Sequence, residues 1–341
     1  MEKLRVAIIG CGAIHRVHAD AIVNSELAQL KYVVDIQADN ARSSGEKYRC
    51  QWYTDYKEIL QKDDVDVVHI CTPHYLHADM TIHAVQSGKH AFVEKPVVSH
   101  WKQARELIEE TKKSGCYVGV CFQNRLNPSS VKAKEILDSG RLGRILGIKG
   151  LVTWYRDEAY YRESGWRGFF ATEGGGVLIN QSIHTLDLMQ WLGGGVEAVI
   201  GNVATRILGN VIEVEDTADA TLFFRNGARG IFYATNCYTT NSPVEIEVHC
   251  EKGSLRIYNG ELYIISDGRQ TKIVDENCED SPYRSYWGKS HSLAIHSFYQ
   301  SILHDEPKNF IPVEQGVEAV KIIDAIYKSS STGNKIIIKN E

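Results

Sequence analysis

The chain has no excess of positive charge and no local cluster of basic residues. Its 341 residues include 38 Lys and Arg against 43 Asp and Glu, which gives a formal net charge of −5. This balance excludes a general electrostatic attraction to nucleic acid or to an anionic membrane surface. The sequence also shows no charged-then-apolar leader, no twin-Arg leader and no apolar run near the ~18 residues that would cross a membrane. We therefore expect a cytoplasmic protein with no nucleic-acid and no membrane partner.

Paired cysteine motifs, internal repeats, low-complexity tracts and linkers are also missing. The eight cysteines form no C-x-x-C pair, and several lie inside apolar strand-like runs. They are Cys11, Cys50, Cys71, Cys116, Cys121, Cys237, Cys250 and Cys278. Scattered cysteines of this kind predict buried, reduced thiols. A hydrophobic content of 43% is sufficient for about two domains of ~150 residues, each with its own core.

The first recognisable motif lies close to the N-terminus, in the segment LRVAIIGCGAIHRVHADAIV over residues 4–23. An apolar, strand-like run is broken by a Gly-Cys-Gly turn, and a helix-compatible segment follows. In such a turn Gly10 permits the bend, and Gly12 lets the backbone approach a pyrophosphate whose charge lies at the helix N-terminus. The predicted cofactor-binding positions here are Gly10, Gly12, Ala13 and Ile14. Since His15 occupies the third glycine position, a plain tight turn is the alternative.

Strands alternate with helices over roughly the first 120 residues, which specifies a doubly wound parallel sheet and favours the dinucleotide site. The second strand ends at Asp35, roughly 20 residues beyond Gly12, where a carboxylate accepts hydrogen bonds from the adenosine ribose. A carboxylate there also repels a 2′-phosphate. We therefore predict NAD as the cofactor, with NADP less favoured, although Arg42 lies nearby. The alternative is a solvated loop aspartate.

Polar residues follow three later strands of this predicted sheet. The strand 65–71 is closed by Thr72-Pro73, and the strand 90–93 leads into Glu94-Lys95-Pro96. Doubly wound proteins bind ligands at the carboxyl edge of the sheet, so Lys95 is a candidate site residue rather than an ordinary surface lysine. The residues Gln123, Asn124 and Arg125 follow the next strand and are candidates for contact with cofactor or substrate.

The pattern changes from about residue 145, where long strand-like runs are joined by hairpin signals such as Asn226-Gly227. We predict a large, open, mostly antiparallel sheet with one helix over 177–192 and two more over 292–304 and 314–329. The apolar spacing of the last helix suggests that it packs back on the first domain. The predicted domains are therefore 1–124, a Rossmann-type dinucleotide domain, and 125–341, an α+β domain for substrate binding and oligomer contacts.

Three glycines, 174–176, precede a segment in which Asn180, His184 and Asp187 share one face if it is helical. Such a face is either a satisfied core network or a site. The glycines allow close approach by another backbone or by a ligand, which favours a site. A single His with an Asp three residues later is an incomplete metal ligand set, so we expect no metal.

These motifs together resemble the glucose-fructose oxidoreductase/inositol dehydrogenase (Gfo/Idh/MocA) family. The motifs that carry the resemblance are Gly10-x-Gly12, Thr72-Pro73 with His77, Glu94-Lys95-Pro96, the glycine run with Asn180, His184 and Asp187, and the segment 316–333. The resemblance implies an N-terminal Rossmann domain and a C-terminal α/β domain whose open sheet often forms oligomer contacts. It therefore implies a homodimer or homotetramer.

The resemblance further implies that Lys95 and His184 are the catalytic acid and base. NAD would accept hydride from a secondary alcohol of a sugar, a sugar derivative such as a nucleotide sugar, or a cyclitol, while one of the two takes the hydroxyl proton. Many members carry Asp at the position that Asn180 occupies here. An asparagine can orient a hydroxyl but cannot serve as a base. Cofactor contacts are expected at Thr72, Pro73, His77, Glu94, Lys95 and Gln123. Substrate contacts are expected at Lys95, Asn124, Arg125, Tyr155, Trp166, Arg167, Asn180 and His184.

Two other functions remain open on the same resemblance. Some relatives keep NAD bound and hydrolyse glycosides through transient oxidation. Others bind a dinucleotide without turning it over and act as sensors or regulators, although retention of Lys95 and His184 argues against that role here.

Overall fold

The structure is a computed structural model that describes residues 2–275, 290–307 and 310–339. The chain folds as two compact units. The first unit comprises Met1–Gln123 and Lys289–Val317, and the second comprises Asn124–Gly288 and Glu318–Glu341. Seven of the eight cysteines are described, and none of these seven forms a disulfide. Cys278 lies outside the described residues. No helix in the described part of the chain is long and apolar enough to cross a membrane.

A six-stranded parallel sheet organises the first unit. Its strands are β1 (Leu4–Ile9), β2 (Ala28–Val34), β3 (Gln51–Tyr53), β4 (Val67–Ile70), β5 (His90–Glu94) and β6 (Val118–Cys121), in the spatial order 3-2-1-4-5-6. This order is that of the Rossmann fold. Strands β4 and β6 are buried along their whole length, as expected for strands of a parallel sheet that is covered on both faces.

Seven α-helices belong to the described part of this unit. They are α1 (His15–Val23), α2 (Ala38–Tyr48), α3 (Tyr56–Leu60), α4 (His77–Gln86), α5 (Trp101–Ser114), α10 (His291–Leu303) and α11 (Val313–Gly316). Gly115 ends α5 in the left-handed conformation, with a φ of +70°. Late in the chain, α10 packs on α1 and α11 packs beside β6.

A nine-stranded sheet organises the second unit. Its strands are β7 (Ile145–Thr153), β8 (Val196–Ala204), β9 (Thr217–Phe224), β10 (Arg229–Thr235), β11 (Glu245–Cys250), β12 (Gly253–Tyr258), β13 (Glu261–Ser266), β14 (Arg269–Val274) and β15 (Ile336–Ile337). Their spatial order is 14-13-12-11-7-10-9-8-15, and only β7 and β10 pair in parallel among these described strands. The predicted fold class, a parallel Rossmann sheet followed by a mostly antiparallel sheet, is confirmed.

Helices cover one face of the larger sheet. This unit contains α6 (Pro128–Asp138), α7 (Glu158–Arg162), α8 (Phe170–Glu173), α9 (Ile183–Gly193) and α12 (Glu318–Thr332). A side chain at Gly150 would lie 2.3 Å from the sulfur of Met189, so this glycine lets α9 lie directly on β7. In the same way Gly201 on β8 makes room for Ile326 of α12.

The last helix does not pack as the sequence suggested. We expected it to pack on the first domain, but α12 packs on β8 and α9 within the second unit. Its apolar residues are buried as expected, but against the second sheet. Apolar spacing shows which face of a helix is buried but does not identify what covers it.

Candidate active site

The Gly-Cys-Gly turn after β1 uses its two glycines differently. Gly10 has a φ of +97°, and a Cβ there would lie 2.7 Å from the carbonyl oxygen of Cys71 at the end of β4. A Cβ at Gly12 would meet no atom within 4 Å. The fold therefore requires the first glycine, whereas the second leaves open space of the kind that a pyrophosphate needs above a helix N-terminus.

His15, at the third position of the motif, closes this turn. Its Nδ1–H donates to the carbonyl oxygen of Gly12 at 2.5 Å, and the ring lies edge-on to Tyr48. The ring is buried, and this burial lowers its pKa. His15 thus holds the turn as a neutral donor at the first residue of α1, a helix whose N-cap residue, Ile14, forms no side-chain hydrogen bond.

Asp35 connects the end of β2 to the same turn. Its two carboxylate oxygens accept hydrogen bonds from the backbone N–H groups of Cys11 and Gln37, both at 2.8 Å. Each oxygen keeps a second lone pair that a ribose hydroxyl can use. Arg42, which was a possible partner for a 2′-phosphate, pairs with Asp39 at 2.6 Å. The geometry is suited to NAD, and the ribose contact itself remains a prediction.

His77 joins the segments that follow β4 and β5. It is buried, and its two ring nitrogens each lie 2.7 Å from a carbonyl oxygen, that of Pro96 and that of Thr72. Burial lowers the pKa of His77, and the two carbonyls oppose this effect. The side chain therefore fixes Thr72-Pro73 against the Glu-Lys-Pro segment. The predicted cofactor contacts of Thr72, Pro73 and His77 are not tested by this geometry.

Glu94 ends a buried polar chain that the sequence did not predict. His18 Nε2 donates to its carboxylate at 2.9 Å, His18 Nδ1 lies 2.8 Å from His69 Nδ1, and His69 Nε2 lies 2.8 Å from the Tyr299 hydroxyl. Burial opposes ionisation of Glu94, but His18, His291 and Lys95 outweigh it and hold its pKa well below the usual range. The only sequence signal was histidines in apolar runs.

The same cluster includes a group with the spacing of metal ligands. Ligand atoms of His18, Glu94 and Cys121 all lie within 4.8 Å of one another. Hydrogen bonds to Glu94 and His69 already use both nitrogens of His18. Burial also raises the pKa of the Cys121 thiol well above its ordinary value, which favours the neutral thiol. We therefore retain the prediction that the chain binds no metal.

Lys95 is the one residue between Ala91 and Ser99 that is partly exposed. It directly follows β5, and its backbone N–H lies 3.3 Å from a carboxylate oxygen of Glu94. Gln123, which begins the 3₁₀ turn after β6, is buried and accepts a contact from the Cys121 thiol at 3.7 Å. The lysine therefore reaches solvent at the carboxyl edge of the parallel sheet, where ligands bind in this fold.

In the second unit the glycine run packs against protein. A Cβ at Gly176 would lie 1.9 Å from the carbonyl oxygen of Glu215, and one at Gly175 would meet the hydroxyl of Tyr327. The buried Glu215 carboxylate accepts from the N–H groups of Gly176 and Leu178, both at 2.9 Å, and from Tyr327. The glycines thus allow close approach by another backbone, one of the two explanations that the sequence left open.

The helix that carries His184 begins later than predicted. We expected it from residue 177, but α9 begins at Ile183, and 177–182 forms turns in which Asn180 N–H donates to Gly176 at 3.1 Å. Hydrophobic residues suit a buried turn as well as a helix, so composition did not mark this boundary. Asn180 and His184 are nevertheless the only partly exposed side chains between Glu173 and Gln190.

Asp187 and Arg125 form a buried ion pair. The guanidinium donates to both carboxylate oxygens, at 2.7 and 2.6 Å, and lies 5.7 Å from the centre of the Trp191 ring. Because the Arg125 guanidinium is paired with Asp187 in this way, it stabilises the position of α9 rather than binding a ligand. The predicted substrate contact of Arg125 is not tested, and the geometry favours a positioning role.

The remaining predicted substrate residues lie in three places: around the Arg167 guanidinium, after β7 and at the start of the unit. The Arg167 guanidinium lies 4.5 Å from the Tyr160 ring centre and 4.9 Å from that of Trp166. Tyr155 is half exposed, and its backbone N–H donates to Asn241 at 3.1 Å. Asn124 is partly exposed, and its Oδ1 atom has no hydrogen-bond partner among the described residues. Arginine stacked on aromatic rings can bind hydroxyl or anionic groups.

Comparison with known proteins supports one family along most of the chain. Residues 4–122 match the description "oxidoreductase family, NAD-binding Rossmann fold" of the Gfo/Idh/MocA proteins, and residues 130–256 match "GFO/IDH/MocA C-terminal domain". The chain belongs to the Gfo/Idh/MocA family. The predicted family, its NAD cofactor and its assignment as an NAD-dependent oxidoreductase are confirmed.

Several Gfo/Idh/MocA proteins are similar over most of their length. The scyllo-inositol 2-dehydrogenase (NAD(+)) of Bacillus subtilis is 30% identical over 75% of this chain and 74% of its own. The D-glucoside 3-dehydrogenase of Escherichia coli is 26% identical over 98% of this chain and 97% of its own. The structure of the WlbA dehydrogenase from Bordetella pertussis, solved with NADH and UDP-GlcNAcA, matches with a TM-score of 0.86, 28% identity and full coverage of both chains.

Proposed function

We propose that this protein transfers hydride between NAD and a secondary alcohol of a sugar, a sugar derivative such as a nucleotide sugar, or a cyclitol, with Lys95 and His184 as acid and base. One observation carries the proposal. In each of two buried segments the partly exposed side chains are chemically functional ones: Lys95 after β5, and Asn180 in the turn before α9 with His184 in the first turn of α9. Polar side chains left accessible in this way are typical of functional sites.

The first unit has the features that NAD binding needs. Bound NAD supplies the hydride acceptor. The open space at Gly12 and the N-terminus of α1 suit the pyrophosphate, and the lone pairs of Asp35 suit the adenosine ribose. His15 and His77 keep these backbone segments in place through their carbonyl contacts.

Proton transfer falls to Lys95 and His184. One takes the hydroxyl proton at Nζ or at a ring nitrogen while hydride leaves the carbinol carbon, and the other stabilises the developing alkoxide. Asn180 has no titrating group and orients the substrate by hydrogen bonding to one of its other hydroxyls. The ionised Glu94 carboxylate, next in the chain to Lys95, stabilises an ammonium ion there.

The class of substrate is supported by the relatives. Enzymes similar to this chain are named for a scyllo-inositol, a D-glucoside and levoglucosan, and one was solved with a UDP-sugar acid. All are cyclic compounds with secondary hydroxyl groups. The stacked Tyr160, Trp166 and Arg167 offer ring faces and a cation suited to such ligands.

A substrate panel tests the proposal. The purified protein is incubated with NAD and with inositols, aldoses, uronates, anhydrosugars and UDP-sugars, and NADH is followed by its absorbance. We expect at least one compound to give sustained NADH formation. NAD binding without turnover of any of these alcohols contradicts the proposal.

We also propose that copies associate through the open face of the nine-stranded sheet, as a homodimer or homotetramer. This face lies opposite α9 and α12, and it exposes Ile200, Ile231 and Tyr233 at 43%, 66% and 37%. Apolar side chains grouped on one sheet face are typical of protein interfaces. Light scattering of wild type and Ile231→Glu tests this: the variant should have the smaller mass, and a monomeric wild type contradicts it.

A further inference from the structure

A fully buried carboxylate, Glu173, lies directly behind Asn180. Glu173 is the last residue of α8, and its side chain has 0% exposure. One of its oxygens accepts from the backbone N–H of Gly168 at 2.6 Å, and the other accepts from the Asn180 side-chain NH₂ at 2.5 Å. Nothing in the reaction described above uses this group.

These contacts determine which way the Asn180 amide points. An ionised carboxylate only accepts hydrogen bonds, and a backbone N–H only donates, so the NH₂ of Asn180 must face Glu173. The Tyr160 hydroxyl lies on the same NH₂ side, at 3.5 Å, and is itself held by Gln181 at 3.0 Å. Because the two polar groups of an amide diverge, the carbonyl oxygen of Asn180 is directed away from Glu173.

We propose that Glu173 is a positioning residue: it holds the Asn180 side chain so that the amide oxygen is presented, as a hydrogen-bond acceptor, to a substrate hydroxyl next to the reacting one. This inference rests on the proposed function. The amide oxygen then accepts a hydrogen bond as one oxygen of an aspartate at this position would. The negative charge lies on the buried Glu173 carboxylate instead. Accepting from a hydroxyl next to the reacting one orients the ring and its C–H bond for hydride transfer, and it leaves the proton of the reacting hydroxyl to Lys95 or His184.

The surroundings of Glu173 make this orientation sensitive to pH. Burial and the neighbouring Glu215 raise its pKa, whereas the Gly168 N–H, Asn180 and Arg167 lower it, with a result of about 7. Tyr161 and, from α12, Tyr327 also face it electrostatically. A protonated Glu173 must still accept from Gly168, so its O–H points at Asn180, which then has to reverse its amide. Acidification should therefore lower activity through Asn180.

Two substitutions and their combination test the proposal. In Glu173→Gln the amide oxygen stays on Gly168, so the Gln NH₂ faces Asn180 and reverses it. Asn180→Asp places two carboxylates in contact. We expect each single variant to lose about 10- to 100-fold in kcat on the best alcohol of the panel, with similar affinity for NAD. In the double variant the Gln NH₂ donates to one oxygen of the new Asp and leaves the other as acceptor, so kcat returns to within about fivefold of wild type.

The controls separate a positioning role from a merely structural one. Melting temperature and NAD binding show whether each variant is folded. The acid limb of kcat near pH 7 in wild type should move to lower pH in the double variant, because Gln does not titrate. An unaffected Glu173→Gln, or a folded double variant no better than the worse single one, overturns the positioning role while wild-type turnover still upholds the proposed function. If wild type oxidises no alcohol, both proposals fall.

Discussion

The Arg125 guanidinium and the Asp187 carboxylate form a two-bond ion pair in which both side chains are at least 96% buried. The sequence suggested that Arg125 touches substrate and that Asp187 belongs to a polar helix face. In the structure, the Arg125 guanidinium neutralises the carboxylate of Asp187 on α9. Removing one charge leaves the other buried and uncompensated, which is costly.

We therefore predict that Arg125→Met and Asp187→Leu each lower the free energy of unfolding by about 3–5 kcal/mol, measured by urea titration. The double variant should recover much of this loss, because no buried charge is left unpaired. A folded Arg125→Met enzyme that retains wild-type stability and loses only substrate affinity would show that the arginine is a ligand instead.

His15→Ala should weaken NAD binding more than it affects the sugar. The substitution removes the Nδ1–H donor that holds the Gly12 carbonyl, so the turn loses its preformed shape. We expect KM for NAD to rise about 5- to 10-fold, and His15→Asn, which keeps a donor, to recover part of it. Steady-state kinetics with NAD and alcohol varied separately decides this, and an equal rise in both KM values would contradict it.

Asp35→Ser should reduce the preference for NAD over NADP. The carboxylate is held by two backbone N–H groups at the end of β2, where its charge would repel a 2′-phosphate. We expect the ratio of kcat/KM for NAD to that for NADP to fall at least ~10-fold. The exposed Asp63→Ser, in the turn that follows α3, is the matched control and should change this ratio little.

Glu173 should also affect how stability depends on pH. Its pKa is raised on folding from 4.5 to about 7, so its contribution to stability is fully present below pH ~4.5 and is lost as pH rises through 7. As pH rises from 4.5 to 7, the unfolding free energy of wild type should therefore fall relative to that of Glu173→Gln, by on the order of 3 kcal/mol. A difference that is flat with pH would mean that Glu173 stays ionised throughout.

Local patterns predicted a large part of this protein. Alternating strands and helices define the parallel sheet, and hairpin signals such as Asn259-Gly260, both with positive φ, mark turns of the second sheet. Gly10, Lys95 and His184 stand at strand or helix ends, where short stretches of sequence reveal them. These features depend on neighbours along the chain.

Features that depend on distant residues could not be predicted in the same way. The chain from Glu94 through His18 and His69 to Tyr299 joins two strands and two helices, including one more than 200 residues later. Glu173 looked like an ordinary acidic residue before a glycine run, and its burial against Asn180 became visible only in the structure. The apolar spacing of α12 likewise did not show that this helix packs on β8 and α9.

We propose that Lys95 and His184 carry the proton transfer of an NAD-dependent alcohol oxidation. These roles are tested by kcat for NADH formation on the best substrate of the panel, in wild type, Lys95→Met and His184→Ala. The exposed Lys102→Met and His249→Ala serve as matched controls. We predict that each site variant, folded and binding NAD, loses at least ~100-fold in kcat while the controls retain it. Undiminished turnover in both site variants would show that neither Lys95 nor His184 carries the proton transfer.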